Sequence, residues 1–435
     1  MKSLSLRSCP RAILHIDGDC FFASCEVAKN PALKGLPVVT GKERGIASSM
    51  TYEAKARGVT RGMQLHQIRK VCPEAIILPS DYESYSLYSK RMFEIVRRYT
   101  PEVEEYSIDE CFADLTGLRR PLRMSYRQIA EKIKHDLDLE LGMTFSIGLA
   151  PNKIVAKIAS KWKKPSGLTI IPAHALHVFL EKLGVEKIWG IGPQTTAYMN
   201  KLGISTALDF ALKDIDWVKK NFTKPHVEIW HELRGDFIYP LSTLEKHDFK
   251  SIGKTRTFTP ASSKKDFVFS QLSKNIENAC IKLRRHGLFT KNVFFFLKTQ
   301  EFKHFGAEIR LSESISIPQI IIDAVKKNFD LIFDARQHYR ATGIVLMKLT
   351  CESTKTLSLF GESVMIEKIT HLYDGIDTMA KKYGKHSVFL GSSFLAMQNH
   401  QHEGSRGVLT ERKHHLFKGE TFRKRLAMPY LGKVK

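Results

Sequence analysis

The order of short strands and helices between residues 11 and 171 constrains the fold of this 435-residue chain more than any other feature. Apolar runs bounded by charged or turn-forming residues predict strands, and apolar residues spaced three and four apart predict helices. In chain order these are the strand Ala12–Ile16, the helix Tyr82–Tyr99, the strands Glu102–Ile108 and Cys111–Leu115, a helix through Ile129, Ile133 and Leu137, the strand Thr144–Leu149 and the helix Asn152–Lys163. This order predicts a ferredoxin-like sheet with helices on one face, interrupted by an insertion of about residues 21–80.

The remaining segments have simpler patterns. The insertion is predicted to contain the helix Phe21–Ala28, the strand Leu36–Thr40 and the helix Met50–Arg57. Residues 172–239 have helical periodicity, residues 246–251 resemble a linker, and long strands with two helices are predicted up to about residue 349. The last stretch, 351–435, is predicted to contain the helix Val364–Lys382, the strand Ser387–Phe389 and a basic, histidine-rich end.

Charge is the dominant feature of the composition. The chain has 68 Lys and Arg residues against 45 Asp and Glu residues, a net charge of +23, and the basic residues run along its whole length. Such a surface fits a polyanionic partner, because neutralised phosphates release counterions and drive binding. The alternative is a soluble protein that is merely basic.

Cysteine usage and hydropathy indicate the compartment. The seven cysteines include no CxxC pair, which indicates neither a disulfide framework nor a zinc site and favours a reducing environment. No apolar run approaches the roughly 20 residues of a membrane span. The first apolar stretch meets His15 and Asp17 within a few residues, which a signal peptide does not tolerate. We therefore expect a cytoplasmic protein with no membrane partner.

Three acidic residues stand where predicted strands end or begin. Asp17 closes the first buried strand, and Asp109 and Glu110 lie between two later strands. If these strands are neighbours, the carboxylates converge at one sheet edge, where repulsion and desolvation are costly and divalent cations remove both costs. Two hard ions about 3.5–4 Å apart suit in-line phosphoryl transfer. The alternative is that these acids cap turns and face solvent.

Five motifs occur in a fixed order: HIDGDCFFASCE (15–26), TYEAKARGV (51–59), EEYSIDECFADLTG (104–117), LAPNKIVAKIASKWKKPSG (149–167) and IWGIGPQTTAYMNKLGI (188–204). Together they resemble the Y-family of translesion DNA polymerases, in particular its bacterial DNA polymerase IV branch, over about residues 11–350. The tail, with LFGES and LYDGIDTMAKKYGKHSVFLGS (372–392), is similar to the catalytic subunit of the DNA polymerase V branch.

The resemblance implies an α+β, right-hand polymerase fold. It assigns a ferredoxin-like palm to residues 11–20 and 81–171, small fingers to 21–80 and a helical thumb with a helix-hairpin-helix to 172–240. A linker (241–250), an α/β little-finger domain (251–350) and a C-terminal region for a clamp or another partner (351–435) complete the expected organisation.

The resemblance also implies residue roles. Asp17, Asp109 and Glu110, with the carbonyl of Gly18, are expected to hold two Mg²⁺ ions, while Asp19 gives structural support. Phe22 is expected to be the steric gate, whose ring would clash with a 2′-hydroxyl. The other expected dNTP contacts are Cys20, Phe21, Ser49, Tyr52, Lys55 and Lys164. Lys55 stands where many relatives have Arg, and because Lys cannot form a bidentate fork, its contact would be looser or shared with Arg57. Ala47 and Ser48 are expected over the nascent base pair and Lys157 near the primer.

Primer-template DNA is the expected polymeric partner. Gly190 and Gly192 are expected to bring a helix start close to a phosphate, and Lys254 and Arg256 share one face of a strand. The segment from Thr356, with Leu357, Leu359 and Phe360, resembles a sliding-clamp peptide, although Thr356 replaces the usual Gln; the alternative is a short core segment. An accessory subunit is a further expected partner of the C-terminal region.

The expected function is therefore DNA synthesis past damaged bases, with low fidelity and no proofreading. No GxxxxGK[ST] motif occurs, so no ATPase motor is indicated. Two alternatives remain. One is a catalytically weak scaffold that binds DNA and the clamp. The other is cyclic-nucleotide synthesis on a similar sheet, which leaves the helix-hairpin-helix and the basic C-terminal half unexplained.

Overall fold

The structure is a computed structural model, and it describes residues 11–243, 249–351, 362–383 and 386–398. These residues form two compact units, one on each side of residues 244–248. We call residues 11–243 the first unit and residues 249–398, with the gaps just given, the second unit. No helix in the described part of the chain is both long and apolar enough to cross a membrane.

The first unit is built on a five-stranded sheet. Its strands and those of a smaller sheet are, in chain order, β1 (Ile13–Gly18), β2 (Val38–Thr40), β3 (Ser49–Met50), β4 (Ile76–Leu78), β5 (Val103–Glu105), β6 (Glu110–Asp114), β7 (Phe145–Ala150) and β8 (Leu168–Ile170). The large sheet has the order β5-β6-β1-β7-β8, in which only β7 and β8 run parallel. Strands β5, β6, β1 and β7, in this order, have the ferredoxin-like arrangement, as predicted.

Helices cover both faces of this sheet, so the prediction of helices on one face is wrong. The helices up to the end of this sheet are α1 (Phe21–Lys29), α2 (Tyr52–Ala56), α3 (Leu65–Val71), α4 (Tyr82–Arg97), α5 (Arg119–Leu122), α6 (Tyr126–Leu141) and α7 (Lys153–Trp162). Leu14 and Ile16 pack with α4 and α6, whereas Ile13 shares its core with α7. Alternate residues of a strand face opposite sides, so the continuous apolar run of β1 reflects burial on both faces.

The inserted region forms the small sheet β3-β2-β4, around a core that includes Val39, Met50, Ala54 and Ile68. Its first helix, α1, packs differently, because Phe21 and Cys25 belong to the core of the large sheet. The region predicted to be helical, residues 172–239, contains α8 (Leu176–Glu181), α9 (Pro193–Lys201), α10 (Ala207–Ala211), α11 (Ile215–Asn221) and α12 (Lys224–Leu233), and no helix follows Leu233 up to residue 243. These helices share one hydrophobic core with α7.

The second unit has four long strands and two long helices before residue 351, as predicted. They are β9 (Ser251–Ser262), α13 (Lys265–Arg285), β10 (Leu288–Thr299), β11 (His304–Ile315), α14 (Pro318–Asn328) and β12 (Tyr339–Cys351). All pairs in the sheet β11-β10-β12-β9 are antiparallel. The core between the sheet and the helices contains Phe295 and Ile344 from the sheet and Leu272 and Ile322 from the helices.

The C-terminal segment packs against α13. It contains α15 (Glu362–Tyr383), close to the predicted helix, and the short α16 (Phe394–Gln398). The predicted strand Ser387–Phe389 is wrong, because these residues are irregular. Just after them, backbone groups bond to side chains of α13 instead of to a strand: the N–H of Ala396 donates to Ser270 Oγ at 2.8 Å, and Ala396 O accepts from Lys274 Nζ at 3.0 Å.

Candidate active site

The three predicted acidic ligands lie at one edge of the five-stranded sheet. Asp17, near the end of β1, is the direct cross-strand partner of Glu110, the first residue of β6. Asp109 precedes Glu110 in the turn, and its carbonyl accepts a hydrogen bond from the N–H of Gly18 at 2.9 Å. Gly18 is required here, because a Cβ at this position would lie 2.7 Å from Cδ2 of Phe21. The antiparallel register therefore brings together residues that are about ninety positions apart.

Each carboxylate at this edge has its own partner. Lys164 Nζ bonds to Asp17 and lies 3.7 Å from Oδ1 of Asp19, whereas Lys157 Nζ lies 2.6 Å from Oε2 of Glu110. Ser107 Oγ donates to Asp109 Oδ1 at 2.6 Å. Within the described residues, no three acidic, histidine or cysteine side chains converge in a metal-binding arrangement. The backbone brings all three acids to the edge, and lysine ammonium groups neutralise two of them.

The donor set at this edge suits a divalent cation. Burial is the main cause that raises the pKa of Asp17 to about 6; Lys164 opposes the rise, and the facing Glu110 makes a smaller contribution to it. The negative charge of Asp17 is therefore only partly stabilised by its surroundings, although Lys164 lies beside it. All the side-chain donors are carboxylate oxygens, the ligands that hard divalent ions such as Mg²⁺ prefer.

Asp19 is engaged in structural hydrogen bonds. Its side chain is almost fully buried and accepts from Thr144 Oγ1 at 3.0 Å, Ser146 Oγ at 2.8 Å and the backbone N–H of Ser166 at 2.7 Å. It ties the end of β1 to β7 and to the loop that carries Lys164. This position agrees with the supporting role expected from the sequence.

Phe21 and Phe22 have different environments. Phe21 is buried in the core of the large sheet, whereas Phe22 is half-buried and packs against its margin. The Phe22 ring stacks on Tyr85 with a centroid distance of 4.6 Å and an interplanar angle of 12°, and the edge of Tyr82 contacts it at 5.4 Å. Tyr85 is held by a hydrogen bond of 2.8 Å from its hydroxyl to Glu26 Oε1. The ring expected to be the gate therefore has a rigid support.

The expected triphosphate contacts gather around Cys20, whose backbone is left-handed with φ 50°. Ser49 Oγ donates to the carbonyl of Cys20 at 3.2 Å, and Lys55 Nζ lies 3.1 Å from its Sγ. The Lys55 ammonium is also 4.3 Å from the centroid of the Tyr52 ring. Burial raises the pKa of Tyr52, so its hydroxyl stays protonated.

Other predicted neighbours of this cluster lie elsewhere or are already engaged. Arg57 forms an ion pair with Glu74 and donates to the carbonyl of Glu53 at 3.0 Å, so Lys55 stands beside Cys20 without it. Ala47 is buried in the core of the small sheet, and Ser48 is half-buried. Lys164 is at the carboxylate edge, as described above.

Two residues that support this site, Ser107 and Tyr85, are absent from the predictions made from the sequence. Ser107 stands two positions before Asp109, a spacing at which a serine hydroxyl commonly bonds to a nearby turn residue, so its position could have been anticipated. Tyr85 was recognised only as one position in a helical pattern. Its contact with Phe22 depends on how α1 and α4 pack, and no local signal reports that.

The predicted DNA-contact residues occupy three places. Gly190 has φ 94°, and Gly192 precedes α9 with Pro193 as the first helical residue. Lys254 and Arg256 lie on one face of β9, as predicted, and it is the face that carries buried Ile252 and Phe258 toward the helices. Thr356 and the predicted clamp contacts Leu357, Leu359 and Phe360 lie outside the described residues.

Family models and curated proteins match this chain. The impB/mucB/samB family matches residues 16–161, and the C-terminal domain of the same family matches residues 249–359. The DNA polymerase IV of Lactococcus lactis subsp. cremoris is 35% identical over 344 residues, 77% of this chain and 93% of the relative. The DNA polymerase IV of Desulfatibacillum aliphaticivorans is 31% identical over 379 residues, 86% of this chain and 95% of the relative.

Solved structures share the fold. A Y-family DNA polymerase chimera of Dbh and Dpo4 aligns with a TM-score of 0.65 at 24% identity, covering 78% of this chain and 100% of the chimera. The insertion ternary complex of Dbh DNA polymerase aligns with a TM-score of 0.52 over the same shares. These likenesses confirm the predicted α+β polymerase fold. Since the first family model spans Asp17, Asp109 and Glu110, and the curated relatives are more than 30% identical over most of their length, the chain belongs to the impB/mucB/samB family of Y-family translesion DNA polymerases and is close to DNA polymerase IV.

Proposed function

We propose that this chain is a DNA-directed DNA polymerase that copies templates past damaged bases. In the proposed reaction, a primer 3′-hydroxyl attacks the α-phosphate of a dNTP at the edge formed by Asp17, Asp109 and Glu110, and pyrophosphate leaves. The observation that carries the proposal is the direct pairing of Asp17 with Glu110 in a chain of this family. Retention of all three acids disfavours the scaffold alternative.

Two Mg²⁺ ions are the proposed cofactor, held by the three carboxylates and the carbonyl of Gly18. Such ions, when bound, activate the attacking hydroxyl and neutralise charge that develops on the leaving pyrophosphate. The carboxylates position the primer end and the triphosphate relative to each other, which lowers the entropic part of the barrier.

The two lysines at this edge differ in how firmly they are held, and this difference assigns a role to Lys164. Lys157 is largely buried, and its ammonium also lies 4.5 Å from the Tyr106 ring centroid and 5.3 Å from that of Trp189, which fixes it beside Glu110. Lys164 is more exposed, with 26% of its side-chain surface accessible. Because its flexible stem can leave Asp17 when other cations neutralise the edge, we assign Lys164 to the triphosphate.

Phe22 is the proposed steric gate. Its ring cannot retreat from a 2′-hydroxyl without disturbing Tyr85, which stacks behind it and is bonded to Glu26. A forced overlap of this kind costs about 1–3 kcal/mol, enough to favour deoxynucleotides clearly. Ser49, Tyr52 and Lys55 supply hydroxyl and ammonium donors to the β- and γ-phosphates, with Cys20 and Phe21 forming the backbone beneath them.

The remaining partners are also proposals. Primer-template DNA is contacted at Gly190 and Gly192 and along the second unit near Lys254 and Arg256. The segment with Leu357, Leu359 and Phe360 binds a sliding clamp, and the C-terminal region contacts an accessory subunit. The net charge of +23 supports the DNA contacts, and the protein acts in the cytoplasm.

Primer extension with Mg²⁺ on undamaged and damaged templates tests the proposal. The double variant Asp109→Asn, Glu110→Gln preserves the side-chain volumes and removes both charges. We expect extension to fall by about 1000-fold or more, because the nucleophile and the leaving group lose their common support.

The matched control is Glu131→Gln, which neutralises an exposed acid on α6 and should leave extension unchanged. Undiminished extension by the double variant would overturn the site. Extension that stops at every damaged base in the unsubstituted chain would overturn the translesion role while leaving the polymerase assignment intact.

A further inference from the structure

Residues 163–167, between α7 and β8, carry Lys164 to the carboxylate edge, and we call them the Lys164 loop. At the far end of the loop, the carbonyl of Gly167 accepts a hydrogen bond of 2.8 Å from the N–H of Ile147. A Cβ on Gly167 would lie 2.0 Å from the carbonyl oxygen of Lys163, so the chain turns back closely on itself. Because the loop is this short and tight, its position decides which groups the Lys164 ammonium can reach.

Ser166 attaches the middle of the loop to two other elements. Its backbone N–H donates to Asp19 Oδ2 at 2.7 Å, and its Oγ accepts from Lys134 Nζ at 3.0 Å. The φ of Ser166 is 57°, in the left-handed region that residues with a side chain seldom adopt. Such a conformation persists where surrounding contacts fix it. The two hydrogen bonds of Ser166 are contacts of this kind.

Lys134, on α6, is itself held in place. It forms an ion pair with Asp138 one helical turn further along, and only 16% of its side-chain surface is accessible. Asp138 is bonded to the sheet in turn, because its Oδ1 accepts from the N–H of Phe145, the first residue of β7, at 3.0 Å. The Lys134 ammonium therefore has a fixed place from which it contacts a loop that lies 32 positions away in the sequence.

These contacts form a continuous path from α6 to the carboxylate edge. Lys134 contacts Ser166, and Lys164, two positions before Ser166, bonds to Asp17. A displacement of about 1 Å in a residue that positions substrate is enough to weaken an enzyme substantially. We propose that Lys134 is a positioning residue for Lys164: by holding Ser166, it keeps the loop where the Lys164 ammonium meets the triphosphate of a dNTP. This inference rests on the proposed function, in which Lys164 binds the triphosphate.

Steady-state incorporation of a single nucleotide with Mg²⁺ is the first test. An ammonium contact with the triphosphate is present both in the bound substrate and in the transition state, so its loss raises KM and leaves kcat nearly unchanged. Lys134→Met keeps the length of the side chain and removes the donor. We expect it to raise the KM for dNTP about fivefold and to change kcat by less than about twofold. The matched control is Lys132→Met, at an exposed position of the same helix, which should change neither.

Because a loss of stability also lowers activity, the test includes Lys164→Met alone and combined with Lys134→Met. Two residues that act through the same contact have non-additive effects, whereas the effects of independent residues multiply. We expect Lys164→Met to raise KM about tenfold or more, since it removes a charge-assisted contact. The double variant should have a KM within about twofold of that of Lys164→Met.

The outcomes separate this inference from the proposed function. A KM that is raised by Lys164→Met but unchanged by Lys134→Met would overturn the inference and leave the proposed function intact. A double variant whose KM rises by the product of the two single effects would also overturn it, because Lys134 would then act independently of Lys164. An unchanged KM in Lys164→Met, or no incorporation by the unsubstituted chain, would overturn the triphosphate assignment and the inference together.

A second readout requires neither DNA nor nucleotide. The full chain is acetylated briefly in EDTA with a small amine-reactive ester, and the modification of each lysine is measured by tandem mass spectrometry. Release of the loop frees the Lys164 ammonium from Asp17, so we expect its acetylation rate to rise about threefold in Lys134→Met, while the rate of Lys132 stays constant.

Ser166→Ala keeps the test informative if Lys134→Met unfolds. It removes only the hydroxyl that accepts from Lys134 and leaves the ion pair of Lys134 with Asp138 in place. Thermal unfolding checks that the variant is folded. We expect the acetylation rate of Lys164 to rise in Ser166→Ala as well. Equal Lys164 rates in Ser166→Ala and the unsubstituted chain would overturn the proposal.

Discussion

Two groups of buried charge lie along α7, and they are organised in opposite ways. At the start of the helix, Glu104 accepts from Lys153 Nζ at 2.8 and 2.7 Å and from the N–H of Ser242 at 2.9 Å. Nearby, Glu232 accepts from the backbone N–H groups of Ile154, Ile238 and Tyr239 at 2.8–3.1 Å. We call the group of Glu104, Lys153 and Glu232 the α7 joint.

One turn further along the helix, the carboxylates are less fully bonded. Among the described residues, Lys157 is the ammonium partner of Glu110, and Lys164 is the close partner of Asp17. We call Asp17, Asp109 and Glu110 the catalytic edge. The α7 joint saturates its carboxylates with donors from several elements, whereas the catalytic edge keeps acceptor capacity. Burial raises the pKa of Glu232 as well as that of Asp17, so the difference lies in the number of donors. Carboxylates whose oxygens are fully hydrogen-bonded indicate a structural role. Carboxylates with unused acceptor capacity indicate a site that binds cations.

The largest expected effect on stability comes from Lys153→Met, which keeps the length of the side chain and leaves Glu104 buried without its cation. We expect the unfolding free energy to fall by about 3–5 kcal/mol. Urea unfolding followed by tryptophan fluorescence reports it, because all four tryptophans lie in the first unit.

Lys157→Met, one helical turn away, is the matched control, and we expect it to impair primer extension more than stability. The double variant Glu104→Gln, Lys153→Met should recover part of the loss, since the unpaired charge is removed. Equal losses of stability from Lys153→Met and Lys157→Met would break the distinction between the two groups.

A smaller effect of opposite sign is expected at the catalytic edge. In EDTA, Asp17→Asn removes a buried negative charge that faces Glu110, so we expect the unfolding free energy to stay constant or rise by up to about 2 kcal/mol. The same urea titration measures it, with Glu104→Gln as the comparison that should be destabilising. A loss above about 1 kcal/mol in Asp17→Asn would show that its negative charge stabilises the fold.

The smallest effect is expected at a more accessible ion pair. Arg98 donates to Glu140 Oε2 at 2.9 Å and Arg91 does so at 3.2 Å, and the Arg98 hydrogen bond lowers the pKa of Glu140 below its ordinary 4.5. An acid whose pKa is lower in the folded than in the unfolded protein adds stability at pH values above its ordinary pKa. That stability disappears as the pH falls through the pKa that the acid has in the folded protein. Glu140→Gln should therefore cost about 0.5–1 kcal/mol at pH 7.

The measurement is urea unfolding of Glu140→Gln and the unsubstituted chain at several pH values. Their difference in unfolding free energy should shrink as pH falls below 4.5. A difference that stays constant across this range would assign the loss to packing instead of charge.

The comparison along α7 also shows what the sequence could predict. The order of the sheet and the position of Asp17, Asp109 and Glu110 follow from strand patterns and from the motifs around them, and the family comparisons confirm the fold. The ion pairs of Lys153 and Lys157 could not be predicted in the same way. Lysines in a helix are usually solvated, and the sequence predicts only that Lys157 lies near the primer. Both are 5% exposed, and their acidic partners are 49 and 47 positions away.

The errors also concern packing between distant elements. The ferredoxin-like order of strands and helices predicts helices on only one face of the sheet, whereas the apolar residues of α7 pack on the other face. The expected strand at Ser387–Phe389 had a suitable β-branched and aromatic composition, but the neighbouring backbone found partners on α13, and nothing local in the sequence reports them. The assignments of individual nucleotide and clamp contacts stay predictions.

The most direct test of the central claim is the effect of Mg²⁺ on thermal unfolding of the first unit, followed by tryptophan fluorescence. We predict that Mg²⁺ raises the unfolding temperature of the unsubstituted chain by about 2–4 °C relative to EDTA, because an ion that binds only the folded state stabilises it. The rise should persist in Lys153→Met and disappear in the double variant Asp17→Asn, Glu110→Gln. An equal rise in that double variant would contradict the assignment of the catalytic edge as the metal site.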